Sequence, residues 1–232
     1  MKKFNFIAQS KGGVGKSLLM YLFALKYGHN KDILFVDLDS STESSKKQLS
    51  FIDRDNFDMV SLNDDRDVLV RDLLVGYLEE VSESRYETVY FDLGSPESAQ
   101  LPFLIRDDIP MKEFADDSGF EMIFHVVIGG GPAYQSSVNY LEQIRAAVGN
   151  DFKIIVWKSI TSFRGFATLA QELEVRCAKA GLPLRQFGDF VPTTAQGGQI
   201  LDGARLGWGL ENYSRGTRFS LKRQLQIDIK DE

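Results

Sequence analysis

Residues 2–18 read KKFNFIAQSKGGVGKSL. The apolar run at 4–8 enters a turn carrying Gly12, Gly13 and Gly15, and Lys16 and Ser17 then open a stretch of helical period reaching residue 27. A strand that passes through a glycine-rich turn into a helix start converges backbone N–H groups and the positive helix end on one point, the geometry that holds phosphate oxygens. The glycines permit the tight curve and close backbone approach, Lys16 can reach the outer phosphates, and the Ser17 hydroxyl can ligate Mg²⁺. The general pattern G-x-x-x-x-G-K-[ST] would place a glycine at position 10, where this chain has Ser10. An incidental Gly-Lys turn is the bland alternative, and the strand before and helix after argue against it.

Outward from the loop, short apolar runs alternate with longer helix-period segments, the pattern of βα units and a largely parallel sheet. Strands are expected near 3–8, 33–37, 58–62, 87–92, 121–128, 153–157 and 186–190. Ile33-Leu34-Phe35-Val36 and Phe124-His125-Val126-Val127-Ile128 are continuous or nearly so in apolar residues, as interior strands covered on both faces are. Helices are expected near 16–27, 42–51, 66–83, 133–148, 165–180 and 196–206. The fold class is therefore α/β, a mostly parallel central sheet flanked by helices on both faces, in a single domain over 1–232. The segment 93–119, with three prolines and clustered acids, reads as an irregular region or insertion with one short helix. The stretch 213–232 carries Arg215, Arg218, Lys222 and Arg223 before an acidic end and reads as a solvated terminal helix.

Composition narrows the chemistry. With 43% hydrophobic and 26% charged residues the chain is globular rather than disordered. A net charge of −6 opposes polyanion binding by the whole surface, so any nucleic-acid contact must be a local patch. One cysteine, Cys177, permits no internal disulfide and sits in a helical context that reads as a buried, inert thiol. The two histidines, His29 and His125, leave almost no material for a zinc cluster or a Ser/Cys-His site, and His125 reads as a core residue. The opening residues do not form a signal peptide and no window is apolar enough to cross a bilayer, so a cytoplasmic location is expected.

Carboxylates at strand ends are the remaining requirement, because ligands in open α/β sheets gather outside the carboxyl ends of strands. ILFVDLDSS places Asp37 and Asp39 on one side of the chain, and TVYFDLGSP ends a strand on Asp92. A single Asp after a strand is more often a turn former or helix cap, but the order and spacing of these three behind a glycine-rich loop favour a site. VVIGGGPAYQSS supplies another glycine turn, with no lysine in register for a second phosphate loop.

KGGVGKS resembles the deviant Walker A motif, K-G-G-x-G-K-[ST], of the ParA/MinD family of P-loop ATPases, in which the early lysine is the signature. That resemblance implies a P-loop NTPase fold with ATP and Mg²⁺ as cofactors, and an ATP-dependent homodimer in which Lys11 contacts the phosphates held by the other subunit. It further implies nucleotide binding by Gly12, Gly13, Val14, Gly15, Lys16, Ser17 and Leu18. VDLDSS resembles the family's V-D-x-D segment, which implies that Asp37 supports Mg²⁺ with Ser17 and that Asp39 positions the attacking water. YFDLGSP is similar to Walker B and assigns Asp92 to Mg²⁺ through water. DFVPTTAQGGQILDGARLGWGL resembles the segment lining the adenine pocket, which implicates Phe190, Val191, Pro192 and Thr193. In KIIVWKS, Trp157 and Lys158 stand where many relatives have an asparagine facing the base.

The reading that follows is an ATPase switch for plasmid or DNA partition, plasmid stability or conjugation-linked cargo positioning, with Lys11, Lys16 and Asp39 as catalytic residues. It implies a small activating or adaptor protein and nonspecific DNA contact through the basic tail. Membrane docking is not expected, because the tail ends in acids. The alternatives are a small-molecule P-loop kinase or ATP-dependent ligase, a membrane-associated MinD-like positioning ATPase, and a nucleotide-bound assembly module with little turnover.

Overall fold

In the computed structural model, which describes residues 1–38, 47–64, 66 and 68–229, seven strands form one sheet in the order β3-β2-β4-β1-β5-β6-β7. These are β1 (Lys2–Ala8), β2 (Ile33–Asp37), β3 (Phe57–Met59), β4 (Thr88–Asp92), β5 (Phe120–Ile128), β6 (Lys153–Ser159) and β7 (Leu184–Phe187). Every strand pairing is parallel. Because successive residues of a strand face opposite sides, β1 sends Phe4, Phe6 and Ala8 into one core layer and Ile7 into the other. On the first face Phe6 lies in register with Phe91 and Phe124, and its ring stacks on theirs at centroid distances of 4.6 and 5.6 Å. This aromatic ladder joins the three central strands under the helices Arg71–Glu83, Ser95–Phe103 and Tyr134–Val148. The second face is covered by the helices Lys16–Tyr27, Ala195–Leu206 and Arg215–Ile227. The α/β architecture read from the sequence is the one observed.

Four stretches differ from expectation. The strand expected at 186–190 is Leu184–Phe187, because Gly188 adopts φ +71° and turns the chain out of the sheet. The helix expected from 66 begins at Arg71, and the strand expected at 58–62 is the three residues Phe57–Met59. Segment 93–119 is almost wholly helical: Ser95–Phe103, a π-helical turn Leu104–Asp108 and Met111–Asp117. Pro96 lies in the first turn of its helix and Pro110 caps the next, positions where no backbone N–H is missed, so these prolines start helices. Leu101, Leu104, Ile105, Ile109, Met111 and Ala115 are buried against the sheet, which makes the segment a core layer. The expected helix over 42–51 and Asp39 lie mainly or wholly outside the described residues. Among the described residues, no helix is long and apolar enough to cross a membrane.

Polar groups buried under the helix Lys16–Tyr27 form a closed chain. The Trp157 indole donates to His125 Nδ1 at 2.9 Å; Nε2–H of that ring donates to Asn5 Oδ1 at 2.9 Å; and Asn5 Nδ2 donates to the Val89 carbonyl at 3.3 Å. An indole can only donate, which assigns the imidazole tautomer. Trp157 is therefore a core residue, and Lys158 is held by Glu174 at 2.8 Å. Cys177 is likewise buried, and burial pushes its thiol up to about 11, away from the reactive thiolate.

The His125 imidazole makes a pH prediction. Burial, and then the Arg185 and Lys153 charges, lower its pKa from 6.5 to about 3. The folded state thus favours the neutral ring, a stabilisation that is complete above the unfolded value and is lost as pH falls through the interval between the two. Urea unfolding of the wild type should weaken from about pH 6.5 downward, by no more than about 1.4 kcal/mol per pH unit from this group. A His125→Gln protein should show a shallower slope over the same interval; an identical slope would remove His125 as its source.

Candidate phosphate and magnesium site

Gln9, the first residue past β1, anchors the loop. Its side chain is fully buried, with Nε2 donating to the carbonyls of Val127 at 2.8 Å and Ser137 at 3.2 Å, while Oε1 accepts from the Lys11 N–H at 3.2 Å. Its own N–H donates to Ser98 Oγ at 3.2 Å. One residue thus ties the loop to the end of β5, to the helix Tyr134–Val148 and, through Ser98, to the helix following β4. Gly13 and Gly15 take φ +75° and +108°, where a side chain would be strained. Val14 is buried, and a Cβ on Gly129 would come within 2.9 Å of its Cγ1, so the Gly129–Gly131 turn is the seat on which the loop packs.

The loop delivers the chain into the helix Lys16–Tyr27 with no side chain capping its first turn and no acid there. Its first N–H groups and the positive end of its dipole are therefore available to an anion. The Lys16 side chain, only 8% exposed, folds back along the loop and its ammonium donates to the Gln9 carbonyl at 2.9 Å and to Ser95 Oγ at 3.0 Å. Lys11, Gly12, Gly13 and Ser17 are exposed. Lysine and serine side chains with backbone N–H groups around a positive-φ turn form a donor set suited to polyphosphate.

Asp37 and Asp92 end adjacent strands β2 and β4 in direct register, and both are buried. Asp92 is also in register with Ile7, which places both carboxylates at the carboxyl edge from which the loop springs. Two buried carboxylates side by side favour a cation between or in front of them. Mg²⁺ suits such a place, since it takes oxygen ligands, keeps several waters and binds one or two carboxylates together with phosphate. Among the described residues no group of three or more His, Cys, Asp or Glu is arranged to hold a metal through protein ligands alone.

On the other flank, a Cβ on Gly15 would lie 3.2 Å from the Phe187 ring and 3.8 Å from Ser159 Oγ, and one on Gly188 would lie 3.7 Å from Leu18. The ends of β6 and β7 therefore border the loop and the helix start. Beyond Gly188 the chain runs through buried Phe190 to exposed Val191, Pro192 and Thr193, and Thr194 caps the next helix by accepting from the Gly197 N–H at 3.1 Å. The glycine at 197 is required there, as a Cβ would sit 1.9 Å from the Val191 carbonyl.

The structure thus brings together Gly12 to Leu18, Asp37 and Asp92 at one edge, with the 188–193 segment adjoining; Asp39 lies outside the described residues. Sequence reading missed Gln9, Ser95 and Ser98. Their signals were present: a polar residue at the buried end of an apolar strand, and two serines three residues apart at a helix start facing the loop.

The parallel sheet and the loop at its carboxyl edge make the fold that of a P-loop NTPase, similar to the folds of MinD and plasmid partition proteins. The chain matches the MinD cell division protein of Aquifex aeolicus over 100% of its length and 98% of that protein, with a TM-score of 0.54 at 12% identity. It matches a Borrelia burgdorferi B31 protein described as a plasmid partition protein, bound to AMPPNP, over 99% of each chain with a TM-score of 0.55 at 13% identity. At these identities the likeness is one of fold. In sequence it is 28% identical over 161 residues to Protein TraL of Escherichia coli; the match takes in 68% of this chain and 63% of that protein. No model of a known protein family matches the chain.

Removing the buried anchor should loosen the loop from below. Gln9→Ala leaves the Val127 and Ser137 carbonyls without this partner and should cost about 1–3 kcal/mol in urea unfolding. Hydrogen exchange of the Lys11 amide should rise in the same protein. Wild-type stability and exchange would show that the loop holds its shape without Gln9.

Proposed function

We propose that the chain is an ATPase that binds ATP with Mg²⁺, pairs with a second copy across the nucleotide and hydrolyses it slowly, so that association is timed by turnover. The observation carrying this reading is the Lys16 ammonium, held at the loop on the same sheet edge as the in-register Asp37 and Asp92. In that geometry the loop N–H groups and Lys16 would bind and orient the β- and γ-phosphates and neutralise charge as the bond to the γ-phosphoryl group loosens. Ser17, Asp37 and Asp92 would hold Mg²⁺, which when bound supplies charge neutralisation at the phosphate oxygens. Asp39 would orient the attacking water. Pro192 and Thr193, on the segment beside Leu18, would border the base.

Lys11 gives the reading its dimer. Its side chain is exposed beside the loop, while Lys16 already serves the loop from within. A second lysine facing outward is placed to reach phosphates held by a facing copy, where a mobile point charge can act on the transition state. Partition or conjugation-linked cargo positioning is the process we favour, on the fold shared with the plasmid partition protein and the sequence similarity to TraL. In the helix Arg215–Ile227, Leu221 and Leu225 are buried, whereas Arg215, Lys222, Arg223 and Phe219 are exposed. A basic face with an aromatic side chain, and with its leucines committed to the core, suits a nucleic-acid backbone better than a bilayer.

Turnover and mass measured together test the reading. Lys11→Ala should abolish ATP hydrolysis while leaving ATP bound, and Asp39→Ala should accumulate a dimer with ATP that ADP does not support. If both variants remain monomeric and turn over like the wild type, the switch reading is wrong. ATP-dependent phosphorylation of a small molecule, unaffected by Lys11→Ala, would point to a kinase instead.

A further inference from the structure

The helix Ser95–Phe103 lies between two parts of the molecule and bonds to both through alternate side chains. Toward the phosphate loop, Ser95 Oγ accepts from Lys16 Nζ at 3.0 Å and Ser98 Oγ accepts from the Gln9 N–H at 3.2 Å. Toward the chain ahead of the helix Arg71–Glu83, Glu97 Oε1 accepts from Asn63 Nδ2 at 2.6 Å and Gln100 Oε1 accepts from the Leu69 N–H at 2.9 Å. Ser95 and Ser98 are one helical turn apart, as are Glu97 and Gln100, so the helix presents one polar edge to each neighbour. Glu97 and Ser98 are buried, which makes their partners matter: a buried polar group that loses its bond costs more than the bond itself is worth.

Asn63 and Leu69 face each other in an isolated antiparallel bridge, closed by Asp64 N–H to the Val68 carbonyl at 2.9 Å and Val70 N–H to the Leu62 carbonyl at 2.8 Å. Leu62 and Leu69 are buried while Val68 is 47% exposed. Val70 leads directly into the helix Arg71–Glu83.

We propose that Ser95 is a positioning residue for Lys16, and that the helix it begins carries the occupancy of the phosphate loop to Asn63 and Leu69. The proposal rests on the reading that a nucleoside triphosphate occupies the loop. A phosphate oxygen is a stronger acceptor for an ammonium than a neutral hydroxyl is. Its arrival therefore competes with Ser95 for Lys16, and the hydroxyl either guides the ammonium onto the phosphate or is released from it. Either change is felt at the first turn of a helix whose next polar residues, Glu97 and Gln100, hold Asn63 and Leu69. Glu97 sits two residues from Ser95 on a rigid helix, so a shift of that turn must move or weaken the Asn63 and Leu69 bonds. The surroundings of Asn63, Val68 and Leu69 would then differ between nucleotide-bound and empty protein, which is the property a surface needs if a partner is to read the nucleotide state.

The test uses the full chain, with AMPPNP and Mg²⁺ as the probe for binding and ATP for turnover. Ser95→Ala should bind AMPPNP within about 3-fold of wild type yet lower kcat about 10- to 100-fold, and Ser95→Thr, which restores the hydroxyl, should recover most of it. AMPPNP should alter hydrogen exchange of the Leu69 and Val70 amides in the wild type and in Ser95→Thr, but not in Ser95→Ala. If Ser95→Ala keeps the wild-type kcat and the wild-type exchange response, the proposal is overturned while the nucleotide reading stands. If the wild type itself binds no AMPPNP, both fail together. A loss of kcat in Ser95→Ala that Ser95→Thr does not recover would also overturn it, since the hydroxyl would then not be the group that positions Lys16.

Discussion

The buried ammonium of Lys16 is the charge around which the carboxyl edge of the sheet is arranged. A cation taken out of water is costly unless it is hydrogen-bonded and faces opposite charge. Here it is accepted by the Gln9 carbonyl and the Ser95 hydroxyl, groups brought from β1 and from the chain just past β4. To reach them the lysine must fold back over the turn, which requires the positive φ of Gly13 and Gly15. The turn in turn rests on Val14 against Gly129 and on the Gln9 side chain against Val127 and Ser137. Each of these depends on β1 lying between β4 and β5, and that order is secured by the Phe91, Phe6 and Phe124 ladder.

The same topology explains why the site gathers where it does. β4 and β5, consecutive in the chain, lie on opposite sides of β1, so the connections diverge at its carboxyl end and leave a crevice there. The loop fills one wall of that crevice, Asp37 and Asp92 stand along the next strands, and the ends of β6 and β7 close the other side through Ser159, Phe187 and Gly188. Rigid strands thus fix the carboxylates, while Lys11 and the glycines sit on a loop whose backbone is held from beneath.

Much of this was legible in the residues themselves. Interior parallel strands announce themselves as apolar runs, and a glycine turn between a strand and Lys16-Ser17 admits few other readings. What escaped had physical causes. Pro96 and Pro110 looked like breakers because a proline at a helix start and one within a loop look alike until the start is known, and Pro102 stands inside a helix near its end; burial of Leu101, Leu104 and Met111 decides the segment. Gly188 ended a strand three residues before its expected end, since Phe190 is buried from a turn rather than from the sheet. Trp157 was read against a position that faces the base, but its indole completes a chain with His125 and Asn5 inside the core. Gln9 and Ser95 act through the backbone of one residue and the ammonium of another, contacts between distant parts of the chain that no local pattern records.

Calorimetric titration of ATP in the presence of Mg²⁺ into the wild type and into Lys16→Ala tests the central claim most directly. The wild type should bind, and Lys16→Ala should bind at least about 10-fold more weakly, the loss expected when a charge-assisted contact to phosphate is removed. Equal affinities in two folded proteins, or a wild type that takes up no ATP, would contradict it.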